Sequence, residues 1–200
     1  MSESRSRLAA VAKSSAVPVG LIVSAALVWQ ASYAAFSATT STPTNNWSTG
    51  TVALSDDDSN SAMFTASALA PGSTASKCIV VTSSGTLAST VQLYGTGKTA
   101  TNSLDTYLDL VVVQGTGGSF AGGCTGFTPD AGAANTFTGT LAAFATAYTN
   151  FSTGFGTFAP TGASTQTKVY KITYTLNAST PSSAQGSTAA IGLTWESQNS

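Results

Sequence analysis

The side chains that could do chemistry are few in this chain. Of its 200 residues, Lys and Arg together number 7, Asp and Glu together number 8, and none is histidine. A chain without histidine lacks the commonest general base, the commonest zinc ligand and every Ser-His or Cys-His nucleophile pair. The formal net charge of -1 offers no basic surface to nucleic acid. These counts favour a structural or binding protein over an enzyme, with no cofactor, catalytic residue or metal site expected.

The one acidic cluster is the run Asp-Asp-Asp-Ser-Asn at residues 56–60. Its D-x-D-x-N spacing is typical of the start of a calcium-binding loop, which also needs glycine at its sixth position and glutamate at its twelfth. Ser61 and Ser67 occupy those positions here. We therefore interpret the run as a solvated acidic turn, although the sequence leaves open whether Asp56–Asn60 binds calcium.

A second possible carboxylate pair is Asp105 and Asp109, which lie four residues apart on a predicted strand at 104–114. Their side chains would then point to the same face. Four strand residues span about 13 Å, which exceeds both carboxylate separations used by glycosidases. We expect Asp105 to begin the strand and cap a turn rather than to act in catalysis.

The first 34 residues are typical of a secretory signal peptide. An apolar stretch at 17–29 follows a basic start, and Ser32-Tyr33-Ala34 places small residues at the two key positions of a peptidase site. A retained membrane anchor is the alternative, but spanning a bilayer takes about 20 apolar residues. The sequence therefore predicts a signal peptide at 1–34, cleavage by a signal peptidase between Ala34 and Ala35, and one exported domain at 35–200.

Export also decides how the two cysteines, Cys78 and Cys124, are interpreted. In an oxidising compartment, an even pair forms a disulfide more often than a metal site or a nucleophile. A reactive thiol would need a cationic neighbour, and only four lysines and no arginine follow residue 34. We predict a Cys78–Cys124 disulfide.

The pattern of apolar residues after position 34 predicts mainly β-strands. In 168–176, Tyr170, Ile172, Tyr174 and Leu176 alternate with polar residues, as in a strand with one buried face. Shorter apolar runs recur about every ten residues and are separated by turn signals; they include 47–54, 62–69, 75–83, 86–94, 104–114 and 191–195.

One segment has helical spacing instead, with Leu141, Phe144, Tyr148 and Phe151 three or four residues apart. Thr138 or Thr140 could cap its N-terminus, and Gly154 could end it. The predicted fold is therefore all-β: a jelly-roll-like antiparallel β-sandwich with one short helix, preceded by the signal peptide.

Several phrases, in this order, resemble the TasA/camelysin family of secreted proteins, which are exported through a SipW-type signal peptidase. They are Ala-Ala-Phe-Ser at 34–37, Trp-Ser-Thr-Gly-Thr-Val-Ala-Leu at 47–54, Leu-Ala-Pro-Gly-Ser at 69–73, Cys-Ile-Val-Val-Thr-Ser-Ser-Gly-Thr at 78–86, the strand 170–176, Gln-Gly-Ser at 185–187 and Ile-Gly-Leu-Thr-Trp-Glu at 191–196. The cysteine pair and the Gly/Thr-rich stretch at 115–165 depart from the family pattern, which indicates a divergent member.

The resemblance implies a jelly-roll sandwich at the cell surface or in the extracellular matrix, which in some members of the family polymerises into biofilm fibres. In such fibres the segment after the cleavage site completes a sheet of the next subunit, by β-strand addition to an open sheet edge. Here the donor strand would be 35–43, with Ala35, Phe36, Ser37, Ala38, Thr39 and Thr40 as the assembly residues. The partner is then a second copy of the chain, joined head to tail, with cell-wall or matrix components as further partners. The metal-dependent peptidase activity described for camelysins is not expected, because the chain has no histidine and no H-E-x-x-H motif.

Two alternatives remain open from the sequence. The first is a monomeric cell-surface module that binds polysaccharide or protein through exposed aromatic residues such as Trp47, Tyr94 or Tyr107; for Trp195, core packing is the favoured interpretation. The second is a secreted hydrolase that works with carboxylates alone, which would need two acids to converge in a cleft.

Overall fold

In the computed structural model of the chain, residues 50–199 are described, within a compact unit that spans Thr49–Ser200. The predicted signal peptide at 1–34, the cleavage site at Ala34 and Ala35, the donor strand at 35–43 and Trp47 lie outside the described residues.

Nine strands and one α-helix form the described domain. The strands are β1 (Leu54–Asp56), β2 (Thr74–Ser83), β3 (Ser89–Ala100), β4 (Leu108–Thr116), β5 (Thr128–Pro129), β6 (Thr136–Thr140), β7 (Phe155–Phe158), β8 (Gln166–Leu176) and β9 (Ala189–Asn199), and the helix is α1 (Leu141–Ala147). Short 3-10 turns lie at Leu104–Thr106, Ala133–Asn135, Phe151–Thr153 and Ser182–Ala184.

The strands form two antiparallel sheets. The larger has the order β1-β2-β8-β4-β5, with β6 also paired to β4, and the smaller has the order β7-β3-β9. The longest ladders join β2 to β8, β8 to β4, and β3 to β9, where Leu93 lies opposite Trp195.

The two sheets enclose one hydrophobic core, built from the alternate residues of their long strands. In β8, Tyr170, Ile172 and Leu176 are buried, as the alternation predicts, whereas Tyr174 is only partly buried. Buried side chains of both sheets meet there: Ile79, Val81, Leu110, Val112, Val91, Leu93, Phe155 and Phe158. The predicted all-β sandwich of antiparallel strands with one short helix is confirmed.

The helix is shorter than predicted. Thr140 is its N-cap, and the Thr140 Oγ1 accepts a hydrogen bond from the backbone N–H of Ala143 at 3.1 Å. The helix ends at Ala147 and does not continue to Gly154. The reason is Asn150, whose side chain accepts bonds from the N–H groups of Ser152 and Thr153 and so begins a separate turn.

Three strand predictions are wrong. In the run 47–54, of which residues 50–54 are described, only Leu54 belongs to a strand. Residues 62–69 contain no strand: Met63 and Phe64 pack on the core, but Ala68 has a φ of 52°, outside the strand region. The strand predicted at 104–114 begins only at Leu108, because Asn102 and Ser103 have positive φ and lead into a 3-10 turn that contains Asp105. Asp105 and Asp109 therefore do not share a strand.

Candidate functional site

The edge strand β9 is the feature of the sandwich most open to another chain. It is 11 residues long and, among residues 50–199, pairs with one neighbour, β3. The other edge strands of the described domain are shorter, from 2 residues in β5 to 5 in β6. Proteins usually protect exposed edges with short strands, charges or proline. In β9 there is no proline, and Glu196 is the one charged residue.

A groove of about 250 Å³ lies beside this strand, between the margins of the two sheets. Leu193, Thr194 and Trp195 of β9 form one wall. The other wall comes from the short strand β1 and its neighbour in β2, and consists of Leu54, Ser55, Asp56 and Val81. Leu54, Leu193 and Trp195 are partly exposed yet pack on the core. The groove is therefore an opening into the sandwich where apolar surface remains accessible.

The indole N–H of Trp195 is buried beside the groove. Its ring packs edge-on against Tyr170, with the ring centroids 5.5 Å apart. The indole Nε1 is buried and, within residues 50–199, has no hydrogen-bond acceptor. Buried N–H groups nearly always have a hydrogen-bond partner. An acceptor supplied by another chain would therefore form a hydrogen bond here that stabilises the complex.

The acidic run at 56–60 begins beside the groove, and hydrogen bonds to its own side chains hold its conformation. Asp56 lines the groove, whereas Asp57 turns away and accepts hydrogen bonds from the backbone N–H groups of Val80 and Phe120, each at 2.8 Å. Asp58 accepts a bond from the N–H of Asn60 at 2.7 Å. The turn is thus not merely solvated, because Asp57 joins β2 to the loop between β4 and β5.

Partial burial and the neighbouring carboxylate of Asp58 raise the pKa of Asp56 above its ordinary value. Removing a carboxylate from water, or placing a second one beside it, disfavours the charged form. Within residues 50–199, no three His, Cys, Asp or Glu side chains come close enough to hold a metal ion.

The predicted disulfide is confirmed, with Cys78 joined to Cys124 and their Cα atoms 5.2 Å apart. Cys78 lies within β2 and is fully buried, and Cys124 lies in the loop between β4 and β5. The disulfide and Asp57 therefore fasten the same loop to β2 at two points.

The remaining described aspartates are each engaged with a separate partner. Asp105, which is buried, binds the ammonium group of Lys98. Asp109 accepts a hydrogen bond from Asn177 at 2.9 Å, and Asp130 pairs with Lys168 at 2.7 Å. The two residues considered as a catalytic pair, Asp105 and Asp109, thus have different partners.

A polar network crosses the core around Gln114, which is fully buried. Its Oε1 accepts a bond from the N–H of Thr157 at 3.0 Å, and its Nε2 donates to Asp130 and Asn135 at 2.9 and 3.2 Å. Because β4 and β7 belong to different sheets, Gln114 joins the sheets through hydrogen bonds. Because Gln114 and Asn135 are both buried, we assign Gln114 a structural role.

The outer face of the smaller sheet carries the tyrosine considered for ligand binding. The Tyr94 hydroxyl donates to Glu196 at 2.7 Å, and Gln198 donates to the same carboxylate at 2.7 Å. The bond to Glu196 raises the pKa of Tyr94, and the bonds from Gln198 and Tyr94 lower the pKa of Glu196. Gln92 lies opposite Glu196. An aromatic ring, two amides and a carboxylate therefore lie close together on this face.

Sequence reasoning missed the groove, the open edge and the role of Asp57. Alternation in 191–195 correctly predicts a strand with Trp195 facing inwards, but it does not say how many neighbours the strand has. The glycines around Cys124 at 117, 118, 122 and 123 were the available signal for a tightly folded loop.

No protein-family model matches the chain, and no curated protein matches it significantly. The resemblance to the TasA/camelysin family therefore rests on the order of its phrases alone. Within the part of the chain that the structure describes, no helix is long and apolar enough to cross a membrane.

Proposed function

We propose that this chain is a secreted structural protein of the cell surface or extracellular matrix that assembles head to tail into fibres by β-strand addition. The observation that carries the proposal is the long, nearly uncharged edge of β9 beside a groove that leads into the core. An extended segment bonded to β9 would add a fourth strand to the three-stranded sheet.

The segment proposed as donor is 35–43 of a second copy. It contains no charged residue, it alternates Phe36, Ala38 and Thr40 on one side, and Pro43 follows where pairing should end. Alternate side chains of a strand point the same way, so Phe36 can enter the groove while the segment pairs with β9. Its backbone carbonyls and the hydroxyl of Thr40, which lies on the same side as Phe36, are candidate acceptors for the Trp195 Nε1.

The geometry of this contact favours a filament. Donor and acceptor are different surfaces of one chain, so each subunit can give a strand to the next and receive one from the previous subunit. A contact of this kind that does not close into a ring continues indefinitely. Cleavage after Ala34 would free the donor, which couples assembly to export.

Removal of the donor tests the assembly mechanism. A chain that begins at Ala35 should polymerise, as measured by light scattering and negative-stain microscopy, and a chain that begins at Thr44 should remain monomeric by sedimentation. A peptide with the sequence of residues 35–43 should inhibit the first chain, and a scrambled peptide should not. Equal polymerisation of the two chains would refute the donor-strand mechanism.

Two exposed strand positions test the acceptor. Ser55 lines the groove on β1, whereas Thr138 lies on β6, which pairs with β4 on the other side of the larger sheet. Ser55→Arg should block assembly by filling the groove with a charged side chain, and Thr138→Arg should not. Inhibition by Thr138→Arg alone would place the acceptor at the β6 edge instead.

A second candidate function is a monomeric surface module that binds polysaccharide. The face around Tyr94, with Gln92, Glu196 and Gln198, favours it, because an aromatic ring flanked by amides and a carboxylate suits a sugar ring and its hydroxyls. Retention of the Thr44 chain on cell-wall polysaccharide, lost in Tyr94→Ala, would support this function over assembly.

A further inference from the structure

We propose that the Cys78–Cys124 disulfide makes the groove competent to accept a strand, by holding the loop that fixes Asp57 and, through Asp57, the groove-lining end of β1. This inference rests on the proposed function and names the regulation of that same site.

The two ends of β1 are held in different ways. Before the strand, the carbonyl of Thr51 accepts bonds from the N–H groups of Thr86 and Leu87, and the carbonyl of Ala53 accepts one from Ser84. After the strand, the ladder to β2 stops where Asp56 lies opposite Val81. Beyond that point β1 has no further backbone bond to β2. The Asp57 carboxylate instead accepts a hydrogen bond from the backbone N–H of Val80, the next residue of β2. The groove-lining residue Asp56 therefore depends on its neighbour Asp57.

The second partner of Asp57 belongs to the disulfide loop, which we define as residues 117–127. The N–H of Phe120 donates to the Asp57 Oδ2, and the Phe120 ring lies 4.2 Å from the Lys77 ammonium nitrogen. A bond from the N–H of Ser119 to the carbonyl of Gly123 closes the loop at 2.8 Å. Phe120 is thus presented to Asp57 by a loop that the disulfide fixes to β2.

Apart from the disulfide, the loop is held mainly through Phe120, which packs on the core and against Lys77, and its glycine-rich backbone adds little rigidity. Gly117, Gly118, Gly123 and Gly126 all have positive φ, and glycines lose the most conformational freedom on ordering. At Gly118 an added Cβ would lie 2.8 Å from the carbonyl oxygen of Gly123 and 3.5 Å from the Cys78 Cβ, so the loop packs directly on the disulfide. Without the cross-link, we expect the loop to separate from β2 and Phe120 to leave Asp57.

Assembly would therefore require that the disulfide has formed. The two thiols lose two electrons and two protons to a disulfide-bearing oxidant, which leaves as a dithiol, and one S–S bond forms between Cys78 and Cys124. Reducing compartments keep such thiols reduced, and oxidising compartments outside the cytosol join them. A chain that has not been exported would then lack a competent groove, in addition to having its donor blocked by the signal peptide.

The test measures binding of a fluorescent peptide of residues 35–43 to the Thr44 chain, which has a free groove. Affinity should fall by about tenfold or more after reduction with dithiothreitol, and in the Cys78→Ala/Cys124→Ala double variant, because the closed arrangement loses a hydrogen bond to a charged group. Asp57→Ala, which leaves the disulfide intact, should cause a loss at least as large, because it removes the bond from Val80 as well as the bond from Phe120. Asp58→Ala is the matched control, since Asp58 binds only within its own turn.

Amide exchange supplies an independent readout. The N–H groups of Val80 and Phe120 should exchange faster in the reduced chain and in Asp57→Ala, with circular dichroism showing that the sandwich is retained. If the double variant does not fold, the dithiothreitol-reduced chain tests the disulfide, and Asp57→Ala tests the connection through Asp57. Equal peptide affinity in the oxidised, reduced and Asp57→Ala chains overturns this inference and leaves the proposed function standing. If the oxidised chain does not bind the peptide, the proposed function fails, and this inference fails with it.

Discussion

At the scale of single residues, Gln114 shows how a polar side chain can join two sheets. It is fully buried, its side chain bonds to Thr157 on β7 and to Asn135, and Gly156 leaves room for its carbonyl oxygen. Buried amides with their donors and acceptors satisfied specify how layers fit together. The Gln114 side chain therefore sets the alignment of β4 against β7.

Replacing Gln114 by methionine should lower the free energy of unfolding by about 3 kcal/mol, because the buried Asn135 and the partly buried Asp130 lose hydrogen bonds while the volume stays similar. Urea denaturation measures the loss. Gln92→Met is the control, since Gln92 is only partly buried and donates a single bond, at 3.3 Å, to the Gly156 carbonyl. A loss no larger than that of the control would contradict the structural role.

Asp130 predicts a dependence of stability on pH. Burial alone would raise its pKa, but hydrogen bonds from Lys168 and Gln114 outweigh burial and hold the pKa below the ordinary 3.8. A carboxyl with a lowered folded pKa stabilises the protein above its unfolded pKa, and this contribution is lost as the pH falls through the folded pKa. Urea unfolding should show wild type more stable than Asp130→Asn at neutral pH, with the difference shrinking as the pH drops below 3.8. A constant difference would contradict this account.

At the scale of elements, helix α1 depends on its cap. Seven residues are too few for a helix to be stable alone, and the Thr140 side chain satisfies one of the free N–H groups at its start. Thr140→Ala should lower the free energy of unfolding by about 1 kcal/mol. Thr138→Ala, the other threonine considered as the cap, should cost less in the same thermal or urea measurement, because Thr138 lies on β6 and not at the helix start.

The sequence predicts elements well where one periodicity extends over many residues, as in β8, with its alternating Tyr170 and Ile172. It fails where local side chains compete with that periodicity: Asn150 starts a new turn in place of the last helical turn, and Ser103 adopts a left-handed conformation before β4. Apolar runs such as 62–69 predict strands, although burial of Met63 and Phe64 needs no ladder. Composition alone does not distinguish a hydrogen-bonded strand from an irregular segment whose apolar side chains pack on the core.

The candidate site was less predictable than the fold. The Cys78–Cys124 pairing followed from the even cysteine count and the proposed compartment, and it is confirmed. The open edge of β9 could not be foreseen, because it depends on which strands lie beside β3, and that is decided by contacts about a hundred residues apart in sequence, such as Leu93 with Trp195. The bonds of Asp57 to Val80 and Phe120 are equally non-local.

At the scale of the whole molecule, head-to-tail assembly predicts that the Thr44 chain limits polymer length. It keeps the groove but lacks the donor, so it can occupy the donor end of a growing polymer and offers no strand to continue it. Added in small amounts to the Ala35 chain, it should shorten the fibres seen by negative-stain microscopy in proportion to its fraction. The Thr44 chain with Ser55→Arg should have no such effect, and equal shortening by both chains would point to nonspecific inhibition.

Because β3 pairs with β9 along its length, loss of the C-terminal strand would expose much of β3. β9 supplies one whole side of β3, from Ser89 opposite Asn199 to Ala100 opposite Ala189. A nonsense mutation or proteolytic nick before residue 189 would strip that side and leave the apolar Val91 and Leu93 of β3 unprotected. Such a fragment would present an unpaired strand edge beside apolar surface, and both promote aggregation.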